Sequence, residues 1–167
     1  MQTEEFTDAI AMLKADHRKV EVLFEKFENA SDGSKQDLAT QICNELKIHT
    51  MLEEEIFYPA LDGKIEADLL SEAYVEHDGA KVLINDITAS SPDDEFYDAK
   101  VKVLSEEIEH HVSEEEANTK GIFAQAREAE VDLVTLRDQM MARKQELMTQ
   151  VESGGLPDAE LTAIQES

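Results

Sequence analysis

Cysteine, proline and glycine are scarce in this sequence of 167 residues, which contains one cysteine, three prolines and six glycines. A single cysteine, Cys43, cannot form an internal disulfide and is typical of a reducing cytosol, so we expect a cytoplasmic protein. Few prolines and glycines leave few turns, which favours long elements over many short ones. Hydrophobic residues make up 41% of the chain and charged residues 32%, which indicates one ordinary domain with a hydrophobic core.

Long apolar segments and basic residues are also lacking. The longest uncharged apolar stretch has only a few residues, which excludes a transmembrane helix. Residues 1–6 contain neither a basic n-region nor an apolar h-region, so we expect no signal peptide. The chain has 15 Lys and Arg against 39 Asp and Glu, for a net charge of −24. Such a surface repels phosphate backbones and anionic lipid, so neither nucleic acid nor a membrane is expected as a partner.

A helical periodicity recurs in four segments of the chain. In each segment apolar residues and one histidine repeat at intervals of three and four, which predicts an amphipathic helix. Polar turn clusters at residues 31–34, 62–63 and 90–93 separate these segments. Four helices of similar length with short connections must alternate in direction. The sequence therefore predicts an all-α fold, an antiparallel up-down-up-down four-helix bundle.

The chain continues beyond the four predicted helices. Asp132 can cap a fifth helix, whose apolar side contains Leu133, Leu136 and Met140. We therefore expect the bundle in residues 1–128 and an extra C-terminal helix in residues 129–152 that packs on the bundle. A tail that can be mobile is expected in residues 153–167.

The two halves of the chain look like a duplication. His17 and His49 lie in the first half, and His77 and His111 lie in the second at nearly the same separation. The second histidine of each pair begins an HxxxE motif. Two helical hairpins of this kind would assemble around a pseudo-twofold axis.

The four histidines and two glutamates are predicted to meet in one layer of the bundle. Residue counts from the turns place the histidines at similar levels, and a glutamate four residues after a histidine shares its helical face. A buried carboxylate is very costly without a cation, and neutral imidazole with carboxylate suits iron, manganese or zinc. Six ligands favour two metal ions over one. The predicted ligands are His17, His49, Glu53, His77, His111 and Glu115.

Several nearby polar residues are weaker candidates. His110 lies off the apolar stripe, so the register favours the pair of His111 and Glu115. Asp16 is expected to be exposed, with support of a ligand imidazole as the alternative. Tyr58 is interpreted as packing. A solvated acidic rim, from which one side chain could act as an extra ligand, is expected for Glu54, Glu55, Glu114 and Glu116.

The chain resembles the hemerythrin-like, HHE cation-binding family over residues 8 to 125. The resemblance rests on Asp16-His17, His49-Thr-Met-Leu-Glu53-Glu-Glu-Ile-Phe-Tyr-Pro59, Glu76-His77 and His110-His111-Val-Ser-Glu-Glu115-Glu. It implies an antiparallel four-helix bundle with a non-haem di-iron centre. The two carboxylates and an oxo, hydroxo or water species would bridge the irons.

Two features depart from the family pattern. Lys81 stands where the oxygen-carrying hemerythrins have a histidine, one turn after the third ligand. One iron would then lack a histidine, which argues against reversible oxygen carriage; water or a nearby glutamate would fill the gap. Residues 117–121 also separate the second HxxxE motif from Ile122-Phe123, where the family pattern continues directly into Phe-Pro.

The leading hypothesis for function is a non-haem di-iron protein that binds, senses or reduces a small oxidant, namely O₂, peroxide or NO. Decomposition of peroxide would be its enzymatic form, and manganese or zinc could substitute for the two irons. The alternative is an iron storage, delivery or iron- and redox-sensing regulatory module without turnover. A third reading is a metal-free acidic interaction bundle.

Overall fold

Helices dominate the computed structural model, which describes residues 5–165. Seven α-helices are present in that range: α1 (Ala9–Glu28), α2 (Asp32–Leu52), α3 (Tyr58–Leu61), α4 (Ala67–Thr88), α5 (Tyr97–Glu116), α6 (Ile122–Glu128) and α7 (Leu133–Ser153). No residue between 5 and 165 lies in a strand. The prediction of an all-α fold is therefore confirmed. Most of the segment considered for a signal peptide, residues 1–4, and the last two residues of the predicted tail lie outside the described range.

The helices α1, α2, α4 and α5 form a four-helix bundle. Helix α1 contacts α2 and α5, and α4 contacts the same two helices, so the four close a ring. The connections between them cover residues 29–31, 53–66 and 89–96, which reverses the chain direction at each step. The predicted antiparallel up-down-up-down arrangement is confirmed. None of the helices in residues 5–165 combines the length and hydropathy that a bilayer-spanning segment requires.

The buried apolar residues form two separate cores, one at each end of the bundle. The first core contains the start of α1, the end of α2, and side chains of α6 and α7, including Leu13, Leu52 and Met140. The second core contains buried side chains from the other end of the bundle helices, including Phe24, Ile84 and Leu104. Between the two cores lies a layer of buried histidines and carboxylates. The fold therefore places polar side chains at mid-bundle, away from water on both sides.

A widened turn interrupts the helix that carries the first HxxxE motif. Residues Glu53–Phe57 form a π-helical turn, in which the Tyr58 N–H donates to the carbonyl of Glu53. Pro59 follows, and a proline ring crowds the carbonyl four residues before it in a regular α-helix. Because the π turn contains an extra residue, Tyr58 lies one turn after Glu53 and on the same face of the helix.

The second HxxxE motif lies at the end of a helix. Helix α5 ends at Glu116, and Ile122 begins α6 after the break at residues 117–121. Gly121 makes this break possible, because a Cβ there would lie 2.6 Å from the carbonyl oxygen of Ala117. The break brings the Phe123 ring over the His17 ring, with centroids 5.9 Å apart and an interplanar angle of 13°.

The fifth predicted helix corresponds to α7. The Thr135 N–H donates to Asp132 Oδ1 at 3.1 Å, which is the expected cap. Helix α7 lies against α1 and α2, and its buried side chains Leu136, Met140 and Leu147 join the first core. The following segment runs back along α4, where the Asn85 side chain exchanges two hydrogen bonds of 2.9 Å with the backbone of Ala159.

Candidate metal centre

The layer between the two cores contains the six side chains that the sequence selects as ligands. None of them is more than 7% exposed, and both glutamates are fully buried. Each of the four bundle helices contributes one histidine, α5 also contributes Glu115, and the π turn contributes Glu53. The structure therefore brings together His17, His49, Glu53, His77, His111 and Glu115.

Each glutamate lies between two histidines from different hairpins. Glu53 Oε1 is 3.1 Å from Nε2 of both His49 and His77. Glu115 Oε1 is 3.2 Å from His17 Nε2 and 3.4 Å from His111 Nε2. Two overlapping groups of ligand atoms result, one with His17, His49, Glu53 and Glu115 and the other with Glu53, His77 and His111.

Several of these converging atoms have no hydrogen-bond partner. They are Nε2 of His17 and His49, both oxygens of Glu53, and Oε1 of Glu115. Buried polar atoms in proteins are nearly always paired, because leaving them unpaired costs ~1–3 kcal/mol each. Nitrogen and oxygen atoms that face one another without partners fit a cation. The donor atoms of this layer therefore fit a bound metal ion.

A second carboxylate holds the outer nitrogen of each histidine. A carboxylate accepts hydrogen bonds only, so Nδ1 must carry the proton and Nε2 presents its lone pair to the centre. The four Nδ1–carboxylate pairs are His17 with Glu116 at 2.6 Å, His49 with Asp16 at 3.1 Å, His77 with Glu54 at 2.8 Å and His111 with Glu76 at 2.8 Å.

These carboxylates correct the expectation of a solvated rim. Asp16 is buried, at 8% exposed, and Glu54 and Glu116 bond to histidines instead of facing water. None of the three enters the centre as an extra ligand. Of the four glutamates predicted in the rim, Glu55 pairs with Arg143 of α7 and Glu114 pairs with His110, both outside the buried layer.

The repeat in the sequence contained a signal for these partners. Asp16 precedes His17 and accepts from His49; Glu76 precedes His77 and accepts from His111. Similarly, the residue after each motif glutamate accepts from a histidine of the other hairpin, Glu54 from His77 and Glu116 from His17. The outer carboxylates therefore follow the same pseudo-twofold relation as the histidines.

Tyr58 packs in the first core, as the sequence predicted, but it also reaches the centre. Its hydroxyl donates to Glu115 Oε2 at 2.7 Å and lies 3.2 Å from His111 Nε2 and 3.3 Å from His77 Nε2. Burial, together with the negative charges of Glu115 and Glu53, raises the pKa of Tyr58 well above its usual value. The phenol therefore keeps its proton inside the centre. α-Helical spacing does not predict this position of Tyr58, because the π turn changes the face on which Tyr58 lies.

Lys81, at the position of the missing histidine, does not face the centre. Its Nζ lies 2.9 Å from Glu54 Oε2 and 3.2 Å from Asp78 Oδ1, and it donates to the carbonyl of Glu160 at 2.8 Å. Lys81 is therefore engaged with the outer carboxylate of His77. The Tyr58 hydroxyl, and not a glutamate, is the additional polar group that the chain supplies beside His77 and His111.

The carboxylates of the centre favour the protonated form of two nearby imidazoles when no cation is present. Burial opposes a charged imidazole, but the carboxylates of Glu53 and Asp16 raise the pKa of His49 well above its usual value. Burial likewise opposes the charge on His111, while Glu115, Glu53 and Glu76 raise its pKa to about 10. The pKa of Glu53 is in turn held well below its usual value, against the effect of burial, by these imidazoles. A metal ion would replace these protons.

Comparison with known proteins identifies the chain. The family model of the hemerythrin HHE cation binding domain matches residues 8–123. The chain belongs to this family. It is therefore a metal-binding domain, and iron is the metal typical of the family, in agreement with the clusters of histidine and glutamate at mid-bundle.

One known protein is similar to this chain in sequence, and one crystal structure is similar to it in fold. A protein named DNA nickase, from Nostoc sp. (strain PCC 7120 / SAG 25.82 / UTEX 2576), is 31% identical over 117 residues, which cover 70% of this chain and 32% of that protein. The HHE chain thus spans about a third of this relative's length. A crystal structure of a hemerythrin HHE cation binding domain-containing protein from Mycobacterium kansasii has a TM-score of 0.72 and 22% identity, covering 90% of this chain and 96% of that one. This likeness supports the fold.

Proposed function

We propose that this HHE domain is a non-haem di-iron protein that binds a small oxidant, O₂, peroxide or NO, at the buried centre. The observation that carries the proposal is the pair of overlapping ligand groups, in which Glu53 and Glu115 each lie between histidines of the two hairpins. A single ion would leave part of this set without a partner. Two ions that share the carboxylates use all six side chains.

A different pair of histidines would hold each iron. His17 and His49 would hold one iron, and His77 and His111 the other, with Glu53 and Glu115 shared. When bound, the irons would supply the electrons for reduction of an oxidant. Cys43, the one cysteine of the sequence, is buried in the second core and takes no part. The unpaired thiol favours a reducing compartment such as the cytoplasm.

A small cavity beside the histidines supports a small ligand. It has a volume of about 20 Å³. All four histidines line it, together with the apolar side chains Val20, Leu46, Ile108 and Val112 and the polar side chains Asp16, Glu45 and Thr50. One water molecule needs ~10–15 Å³ of such space. A diatomic molecule or peroxide is therefore of suitable size.

Tyr58 is the proton donor that the chain would offer to a reduced ligand. Its hydroxyl holds a proton between Glu115 Oε2 and the Nε2 atoms of His77 and His111. A positioned phenol of this kind can transfer its proton to a strongly basic oxygen. Lys81 cannot fill the role of the missing histidine, so the proposal is oxidant binding or reduction and not reversible oxygen carriage.

Nucleic acid and membrane partners are not proposed. The name of the Nostoc relative describes a much longer protein, and the net charge of −24 here opposes contact with phosphate backbones and anionic lipid. Iron storage, delivery or sensing without turnover is the competing function. It uses the same ligands and differs in the absence of a reaction with oxidant.

Anaerobic loading with Fe(II) followed by exposure to oxidants tests the proposal. We expect about two irons per chain and a change in the optical spectrum on addition of O₂, peroxide or NO. Peroxide loss, followed by evolved oxygen, measures turnover. Iron uptake without a spectral response to any of the three would favour storage or delivery. A wild-type chain that takes up no iron would overturn the proposal.

A further inference from the structure

Helix α7 reaches the metal layer from outside the region that the family model matches. Lys144 Nζ donates to Asp16 Oδ1 at 2.7 Å, and Asp16 Oδ2 lies 3.1 Å from His49 Nδ1. Lys144 is only 20% exposed, so this is an ion pair shielded from solvent on one side. A residue of the C-terminal region thus holds the carboxylate that orients His49.

The segment after α7 makes an equivalent contact on the opposite side of the centre. The Thr162 hydroxyl donates to Glu54 Oε1, while Glu54 Oε2 lies 2.8 Å from His77 Nδ1. Lys81 Nζ lies 2.9 Å from Glu54 Oε2 and also donates to Thr162 Oγ1 at 3.3 Å. Thr162 and Lys81 together leave the Glu54 carboxylate little freedom to rotate away from His77.

Thr162 is itself held firmly against α4. The fully buried Asp78 carboxylate accepts hydrogen bonds from three successive backbone N–H groups, those of Thr162, Ala163 and Ile164. Three donors converging on one buried carboxylate satisfy its charge, and they hold the segment at a single register. These backbone hydrogen bonds therefore fix the position of the Thr162 hydroxyl beside Glu54.

The other two histidines are supported from within the bundle. Glu116, the partner of His17, pairs with Arg18 at 2.6 Å, and Glu76, the partner of His111, lies 3.3 Å from His110. Arg18 and His110 are 56% and 66% exposed. The C-terminal region thus contacts one histidine partner in each half of the centre, and those two partners are the more buried of the four.

We propose that α7 and residues 156–164 form a clasp that sets how long the centre retains its metal. Lys144 and Thr162 are positioning residues, which act on His49 through Asp16 and on His77 through Glu54. The inference rests on the proposed ligand roles of these two histidines. Loss of an outer partner of a metal-binding histidine costs ~10-fold to 100-fold in metal affinity, so loss of either contact should speed metal release by a similar factor.

Isosteric and conservative variants of the full chain test the clasp. Thr162→Val removes the hydroxyl at nearly constant volume, whereas Thr162→Ser keeps it. Lys144→Met removes the charge and Lys144→Arg keeps it. Lys102→Met serves as a matched control, because it removes a cation from Glu106, an exposed carboxylate that makes no contact with a histidine of the centre. Each variant is loaded with Zn(II), and transfer of zinc to a coloured chelator is followed over time.

We expect Thr162→Val and Lys144→Met to release zinc about 10-fold faster than the wild type, with Thr162→Ser and Lys144→Arg close to the wild type and Lys102→Met unchanged. The absorption bands of the Co(II)-loaded protein should shift in the first two variants alone, since these bands report ligand geometry. Circular dichroism shows whether each variant keeps its helices. If one variant unfolds, the other decides the result.

Failure of the clasp and failure of the proposed function give different results. A wild type that holds metal, with Thr162→Val and Lys144→Met releasing it at the wild-type rate, overturns the clasp alone. Faster release in Thr162→Ser to the same extent as in Thr162→Val also overturns it, because the hydroxyl would then have no part. A wild type that binds neither zinc nor iron overturns the function and the clasp together.

Discussion

The Asp16 carboxylate accepts a hydrogen bond from His49 Nδ1 at 3.1 Å, although the two residues lie on different helices. Glu76 and His111 repeat this relation at 2.8 Å in the second half of the chain. In both cases the carboxylate directly precedes the histidine of its own helix. The duplication therefore extends beyond the histidines to the groups that orient them.

Asp16→Asn should weaken metal binding without unfolding the bundle. An amide accepts a hydrogen bond less strongly than a carboxylate and loses the ion pair to Lys144, so His49 is held less firmly. We expect metal affinity to fall ~10-fold to 100-fold, measured by competition with a zinc chelator. Asp37→Asn, at an exposed position of α2, is the matched control and should leave affinity unchanged. Equal affinities for the two variants would contradict this role of Asp16.

His49→Ala and Glu115→Ala should remove metal, whereas His110→Ala should retain it. The first two residues offer atoms to the buried groups, and His110 is 66% exposed beside Glu114. The two adjacent histidines of α5 thus provide a comparison within one helix. Metal content after anaerobic purification measures the outcome. Loss of metal in His110→Ala with retention in His49→Ala would reverse the assignment of the register.

Tyr58→Phe should keep the metal and slow the reaction with oxidant. The six His and Glu side chains remain, but the proton at Tyr58 Oη is lost and Glu115 Oε2 loses its donor. A positioned acid contributes ~10²-fold or more to a proton-dependent step, so we expect the peroxide reaction to slow by about that factor in stopped-flow measurements. Unchanged rates with unchanged metal content would show that Tyr58 has only a packing role.

The stability of the metal-free protein should fall as pH rises. The pKa of His111 is raised from 6.5 to about 10 by its carboxylate neighbours against the effect of burial, and that of His49 is raised as well. A histidine whose pKa is higher in the folded than in the unfolded protein stabilises the fold fully at any pH below its unfolded-state pKa. This stabilisation is lost as the pH rises through the folded-state pKa. The decline therefore lies between pH 6.5 and about 10.

Melting temperatures of the metal-free and the metal-loaded protein across this window check the prediction. Metal should remove the decline, since it takes the place of the protons, and should raise Tm at every pH by mass action. A metal-free Tm that is constant or rises with pH would contradict the assignment of protons to these histidines.

The histidine layer could be predicted because it follows α-helical spacing. The histidines replace apolar residues on the four stripes, and short turns force antiparallel packing, so residue counts alone bring them to one level. The resemblance to the HHE family pointed to the same six residues. The boundaries proposed at residues 128 and 152 stay predictions.

Tyr58 and the outer carboxylates could not be predicted in the same way. A π turn adds one residue to the spacing, so Tyr58 lies on the face of Glu53 only because the helix widens before Pro59. Asp16 is buried because Lys144 of α7 covers it, and Glu54 is held by Thr162, which lies 108 residues further along the chain. The positions of these carboxylates repeat in the two halves of the sequence, but the contacts that bury and hold them depend on tertiary packing.

X-ray absorption of the iron-loaded protein tests the central claim most directly, because it reports whether two irons share the ligands of one centre. The account predicts about two irons per chain with iron–iron scattering at ~3.5–4 Å, and nitrogen and oxygen neighbours only. One iron per chain, or irons without scattering from each other, would contradict a shared role for Glu53 and Glu115.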